Sequence, residues 1–333
     1  MSEAVLSVTF AGPLVTFQDA GRFGQMRYGV AASGPMDRLA FDAANAALGN
    51  RAGQTAIEVS LGGLMLQCKS GEVTIAVAGG DFVVEHGAQK LQSWTILTLR
   101  KGERLAIRAG RAGSWAYVAF AGAVQATDWL GSRATHSTSG FGGGAVRSGD
   151  QITVAEAVTR EDRLGDIPQP DFLPQGAVGV VVGPQDQHFA KETVAQFVTE
   201  AFKVTDAYDR MGMRLSGPQL ALKGALSIPS EPIVRGSVQV SGDGVPTVLL
   251  ADHQTTGGYP KIATVLSSET DRLAQFRAGQ PVRFAAVTPE LAVKQVRQFL
   301  ARKETYLADI AIPRGTLEQR LMRENLISGW VHG

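Results

Sequence analysis

One cysteine in 333 residues, Cys68, leaves no internal disulfide and no cysteine-built metal site to consider. A reducing, cytoplasmic address is the expectation. Charge is sparse and balanced: 32 Lys+Arg against 31 Asp+Glu give a net charge of +1, and charged residues make up 19% of the chain. No field of one sign is present to draw in nucleic acid or an anionic membrane, so any polar partner has to be met locally. Long apolar runs are missing too. Stretches such as Ala116 to Val124 fall far short of the ~20 residues that a membrane span needs. The start, Met1-Ser2-Glu3-Ala4-Val5-Leu6, carries no basic leader region.

Signatures of familiar chemistry are also absent. There is no Gly-x-x-x-x-Gly-Lys-Ser/Thr loop, and Gly140-Phe141-Gly142-Gly143-Gly144 has no strand-to-helix setting, so it reads as a turn. The histidines, at 86, 136, 188, 253 and 332, show no metal-ligand spacing, and no metal site is expected. A Gly-x-Ser-x-Gly nucleophile elbow does not occur.

Glycine is what the chain has in plenty, 39 residues against the ~7% usual in globular domains. With 44% apolar residues and ~150 residues per domain, the length predicts two cores in a turn-rich, mainly β protein. Strand signals recur at Leu14 to Phe17, Leu64 to Gln67, Val73 to Val77, Thr95 to Leu99, Leu105 to Arg108 and Trp115 to Phe120. A helix is predicted over Pro35 to Leu48, stopped by Gly49-Asn50. The proline-bearing stretch Ala155 to Gln175 marks the boundary between a first domain, 1–165, and a second, 175–288. Beyond it, Thr288-Pro289-Glu290 starts a helical tail, 289–333, with Leu291, Val293, Val296, Phe299 and Leu300 as its apolar stripe. Thr316 with Gln319 forms a capping box for a last short helix.

Two halves of the chain look alike. Ser33-Gly34-Pro35 and Ser216-Gly217-Pro218 each follow an Arg/Gly/Met stretch, and Gly63 to Gly79 and Gly236 to Asp252 are equal steps between strands. Two diverged copies of one β-barrel-like domain are the expectation, the first enlarged by the Pro35 to Leu48 helix.

The densest polar cluster is Asp252-His253-Gln254-Thr255-Thr256-Gly257-Gly258-Tyr259-Pro260-Lys261, at the end of the strand Thr247 to Ala251. Acceptors, donors and a cation within ten residues suit a small molecule with amide and carboxylate groups. Gly257 and Gly258 let backbone approach a ligand. Arg235 and Gln239, on the preceding strand, and the stretch Asp209 to Arg214 join the candidates, since arginine clamps carboxylates through paired hydrogen bonds. The equally open reading is a structural ion pair between Asp209 and a nearby arginine.

These stretches carry a family resemblance. Ser33-Gly34-Pro35-Met36-Asp37 with Ala44-Asn45 and Gly49-Asn50, then Gly183-Pro184-Gln185, Asp209-Arg210-Met211-Gly212, Gln239 to Gly244 and Ala251 to Thr264 resemble the biotin-dependent carboxyltransferase-like family. That family includes the C subunit of 5-oxoprolinase, allophanate hydrolase subunit 2 and the KipA antagonist of a histidine-kinase inhibitor. The resemblance covers roughly residues 5 to 288 and implies two tandem cyclophilin-like β-barrel domains. It implies two partners, the KipI-like B and the LamB/YcsF-like A subunits, and an ATP-dependent opening of 5-oxoproline to glutamate, with ATP bound by the complex. Carboxyl transfer or allophanate hydrolysis in urea metabolism, and non-catalytic regulation, are the alternatives. His253 stands where the family usually has arginine, and His136 lies where an aromatic is usual. No Met-Lys-Met biotin attachment site is present. In the oxoprolinase reading, Lys261 and Arg235 hold the substrate carboxylate or a developing anion, and Asp252 orients or deprotonates water. Gln239, Gln254, Thr255, Thr256, Gly257, Gly258 and Tyr259 line the substrate.

Overall fold

The structure, a computed structural model, describes residues 2–224 and 227–323; the expected tail beyond Arg323, His332 included, lies outside the described residues. Two apolar cores divide the chain. Alternating burial along strands such as Leu64–Ser70, with Leu64, Leu66 and Cys68 inward, builds the first. Burial also pushes the Cys68 thiol pKa up, which suits a packing residue.

In the first half two sheets face each other. One runs in the order Ala123–Val124, Gln151–Ala155, Glu3–Ala11, Leu64–Ser70, Arg104–Ala109, Phe82–His86, Gln89–Gln92. The other runs Gly165–Asp166, Thr95–Arg100, Glu72–Ala78, Trp115–Phe120, Ala56–Ser60, Thr16–Gln18. Leu6, Leu66, Ile75, Val77, Leu99, Val118 and Phe120 fill the space between them. Helix α1 (Arg38–Leu48) covers the outer face of the second sheet, packing Ala40, Phe41 and Ala44 on Ala76, Ala78 and Ala119. That second covering explains why Trp115–Phe120 is apolar at every position instead of alternating.

Helix α1 begins three residues later than Pro35. Asp37, whose carboxylate accepts from Ala40 N–H at 2.9 Å, is its cap, and Gly49 in the left-handed region ends it. Pro35 and Met36 stay outside the helix, and Met36 is buried in the other core.

The second half is a closed barrel in the order Val178–Val182, Lys261–Val265, Ser237–Val240, Pro246–Leu249, Gly212–Ser216, Ala201–Tyr208, Pro281–Ala286, shut by parallel pairing of Val178 with Phe284. Closure leaves no free edge. Helix α2 (Lys191–Thr199), which has no side-chain cap and so no start signal, lends Phe197 to a core with Phe202, Val238, Val248 and Phe284. Helix α3 (Thr270–Ala274) follows the Lys261–Val265 strand. Met36 and Trp115 of the first half complete this core. The mainly β reading with a barrel holds, but the equal steps in the two halves do not mark equivalent pairs. Ser237–Val240 and Pro246–Leu249 are hairpin partners, whereas Leu64–Ser70 and Glu72–Ala78 belong to different sheets.

Helix α4 (Pro289–Ile310) starts as expected, with Thr288 Oγ1 accepting from Leu291 N–H at 3.3 Å. Helix α5 (Leu317–Arg323) has the reciprocal Thr316 and Gln319 bonds of a capping box. The apolar stripe of α4 is only partly buried. Phe299 packs on Phe172, and Lys303 bonds Asp42 of α1 at 2.6 Å, while Leu291, Val293 and Leu300 stay exposed. Its later turns are tied to α1, with Phe299 clustered beside Leu39 and Lys303 on Asp42. Among the described residues no helix is long and apolar enough to cross a membrane.

Candidate functional site

The 252–261 cluster does not form one site; the barrel splits it four ways. Gln239, Gln254 and Tyr259 border a cleft of roughly 370 Å³ with Asp209, Arg214 and Leu249. Gln254 donates to Gln239 Oε1 at 3.2 Å, so the two amides present a shared face, and Tyr259 is about half exposed above them. Thr256 and Gly257 form a short ribbon with Glu231 and Pro232, and Thr255 O accepts from Ile233 N–H at 3.1 Å.

Lys261 opposes Gln239 in the strand register and is only 3% exposed. Its ammonium has no hydrogen-bond partner, and the carboxylate nearest to it among its ion pairs, Glu231, is 3.9 Å away. A buried cation left this way costs free energy that a ligand's negative charge would offset. Gln185 anchors the lysine's backbone, accepting from Lys261 N–H through Oε1 at 2.9 Å while its amide nitrogen donates to Glu231.

Asp252 lies apart from the cleft. It is fully buried, with both carboxylate oxygens taken by Arg210 at 2.9 Å and one also by Ser137 N–H at 2.8 Å. Burial opposes its charge, but the Arg210 guanidinium outweighs that and holds the carboxyl below its ordinary pKa. The expected role as a base toward water does not suit a group with no solvent access and its oxygens occupied. Arg210 itself, also fully buried, reaches Glu58 and Gly34 O of the first half. Burial works against its charge, and Asp252 with Glu58 raises its pKa above the ordinary value. Glu58 also accepts from Met36 N–H at 2.8 Å and Tyr117 OH at 2.7 Å. The result is an ionic joint between the halves. Asp209 has no part in it; its carboxylate closes a turn by accepting from Met211 and Gly212 N–H.

Arg235 is likewise structural. It donates to Pro35 O at 2.9 Å and Met36 O at 2.5 Å, and lies 3.5 Å from Asp271. Burial and the neighbouring Arg38 charge pull its pKa down to about 10. These bonds pin the Pro35-Met36 segment, while the buried Nε of Arg235 has no hydrogen-bond partner. His253 is buried, which lowers its pKa, and its Nδ1–H donates to Gln254 O at 2.6 Å. His136 sits in the loop that carries Ser137 to Asp252, its Nδ1 accepting from Ser139 N–H at 3.2 Å.

Three participants escaped the sequence reading. Glu58 had a usable signal, a lone acid inside the apolar strand Ala56-Ile57-Glu58-Val59-Ser60. Gln185 stood only within a family stretch, and Glu231 in a polar loop had no signal at all.

Comparison with known proteins follows the same lines. A family model described as carboxyltransferase domain, subdomain A and B, matches residues 28–286. The 5-oxoprolinase C subunit of Haemophilus influenzae is 33% identical over 298 residues, 89% of this chain and 94% of that protein. Its Escherichia coli counterpart, also named as the 5-oxoprolinase C subunit, is 30% identical, over 87% and 94%. The solved urea amidolyase of K. lactis superposes with a TM-score of 0.79 at 25% identity, covering 92% of this chain and 20% of that one. With the barrel, the cleft and a match across most of its length, the chain belongs to the carboxyltransferase-domain family.

Proposed function

We infer that this chain is the C subunit of an ATP-dependent 5-oxoprolinase, working with A and B subunits to open a lactam to glutamate. The observation that carries the reading is Lys261: a buried ammonium without a hydrogen-bond partner, on the strand position paired with Gln239, which borders a cleft edged by two side-chain amides and a tyrosine. In this reading Lys261 meets the carboxylate of 5-oxoproline, and Gln239, Gln254 and Tyr259 hydrogen-bond the lactam N–H and C=O. The names of the two bacterial 5-oxoprolinase relatives point the same way.

ATP finds no cradle in the glycine-rich loop. There the N–H groups of Gly140, Gly143 and Gly144 are already bonded to His136 O, Arg133 O and Thr135 Oγ1. In this reading nucleotide binding and water activation belong to the partner subunits, and this chain binds and orients. The match to urea amidolyase favours a second reading, carboxyl transfer to urea. Urea has no carboxylate, however, and offers Lys261 nothing in place of Glu231.

The test is reconstitution of the purified chain with its A and B partners, ATP and 5-oxoproline. Glutamate should form, and Lys261→Ala should slow it by about a hundredfold or more. An unchanged rate in that variant, or turnover of urea in place of 5-oxoproline, refutes the reading.

A further inference from the structure

Lys261 and Gln185 together make a small anion site that already has an internal occupant. The Gln185 carboxamide cannot turn over: its oxygen is fixed by Lys261 N–H at 2.9 Å, and the backbone N–H of Gln185 donates to Lys261 O at 3.2 Å. Its NH₂ end is therefore held toward the same place as the Lys261 ammonium. Both residues are at least 96% buried, and the ammonium has no hydrogen-bond partner. Two fixed donors, one of them cationic, define a position for a carboxylate.

Glu231 stands at that position. Its carboxylate accepts from Gln185 Nε2 but stays 3.9 Å from the lysine nitrogen, with 54% of the side chain exposed. It arrives on a strap tied to the site by few bonds. Ile228 N–H donates to Gly258 O at 2.8 Å, Glu231–Pro232 pairs with Thr256–Gly257, and Ile233 N–H donates to Thr255 O. The two glycines are what let the strap lie so close. A Cβ at Gly258 would come within 2.9 Å of Ile228 O, and one at Gly257 within 2.5 Å of the Ile233 side chain.

We propose that Glu231 is an internal stand-in for the substrate carboxylate, and that it and Gln185 make the site specific for small monocarboxylates. This rests on the assignment of Lys261 to substrate binding. When a ligand carboxylate arrives, Glu231 swings into the solvent it already half occupies, so the local charge is unchanged and the displaced group is hydrated at once. Urea and 2-pyrrolidinone, which have no carboxylate, cannot make the exchange.

The experiment uses the reconstituted complex with Glu231→Ala, Glu231→Gln and Gln185→Ala. If the strap holds the site nine-tenths of the time, removing the Glu231 carboxylate tightens the KM for 5-oxoproline by about tenfold with kcat little changed. Gln185→Ala raises KM in the opposite sense. Hydrogen exchange at the Ile228 and Ile233 amides is the second readout: 5-oxoproline and acetate should speed it, and 2-pyrrolidinone should not. A KM for Glu231→Ala equal to or above that of the native complex, or exchange that responds equally to 2-pyrrolidinone, overturns the proposal even when glutamate is formed. If the complex forms no glutamate, the oxoprolinase reading falls, while faster exchange with acetate alone still supports the carboxylate swap.

Discussion

Replacing Arg210 by methionine tests the ionic joint between the two halves. The side chain is fully buried and makes two bonds to Asp252 at 2.9 Å, one to Glu58 and one to Gly34 O at 2.7 Å. Methionine fills much of the same volume, so the loss is chiefly electrostatic: two buried carboxylates remain with no cation between them. Breaking a buried pair in this way costs about 3–5 kcal/mol, or two to three and a half powers of ten in the unfolding equilibrium. The pH dependence gives the sharper signature. In the native chain Asp252 titrates below its ordinary value, so its contribution is present above the unfolded pKa near 3.8 and is lost as pH falls through the folded one. Without Arg210, only the bond from Ser137 opposes the effect of burial on Asp252. Its folded pKa then lies above the unfolded one, and stability falls as pH rises. Urea unfolding at pH 4.5, 6 and 7.5, followed by fluorescence of Trp115 at the joint, should show a penalty that grows with pH. Neutralising the carboxylates as well, in Glu58→Gln/Arg210→Met/Asp252→Asn, should recover most of the loss, because a neutral, well-packed substitute for a buried ion cluster is often tolerated. A penalty under about 1 kcal/mol, a pH-independent one, or a triple variant no better than the single one refutes the argument.

Two further predictions concern α1 and the strap. Burial and the nearby Asp271 charge push the Asp37 carboxyl up to about 6, so the fold prefers it neutral, and its contribution is fully present below 3.8 and lost as pH rises through about 6. Asp37→Asn keeps a capping oxygen and should remove that slope, gaining about 1–2 kcal/mol at pH 7 relative to pH 4; parallel stability curves for the two proteins would refute it. Gly258→Ala forces the strap carbonyl at Ile228 to move and should cost about 1–3 kcal/mol in urea unfolding, with faster exchange at the Ile228 amide; a neutral substitution would show that the strap does not depend on this close approach.

Local chemistry explains what was legible in the sequence. The strands of the first half follow apolar runs between turn residues, and the start of α4 and the Thr316-Gln319 box follow from short-range hydrogen bonds that residue order specifies. The family-specific stretch around 252–261 leads into the barrel strand that carries Lys261. What the sequence withheld is which side chains face each other. Asp252 and Lys261 lie nine positions apart, yet one turns to an arginine joined to the first half and the other lies opposite Gln239 in the strand register with Glu231 as its ion-pair neighbour. Arg235 lies four residues from Gln239 and serves Pro35 and Met36, some 200 positions away. Those assignments depend on long-range register and on the docking of the two halves, which no local pattern encodes.

Helix α4 and the bonds at the joint also bear on how the molecule can move. Arg277 donates to Gly113 O and Gly110 O, Gln275 bonds Ser114, Trp115 and Asp37, Arg38 bonds Asp271, and α4 is fastened to α1 by Lys303 and Asp42. A hinge through this seam would have to break all of these at once, so the helix works as a splint. The short ribbon of Glu231–Pro232 with Thr256–Gly257 is held by far fewer bonds than this seam, so adjustment on binding is expected there first.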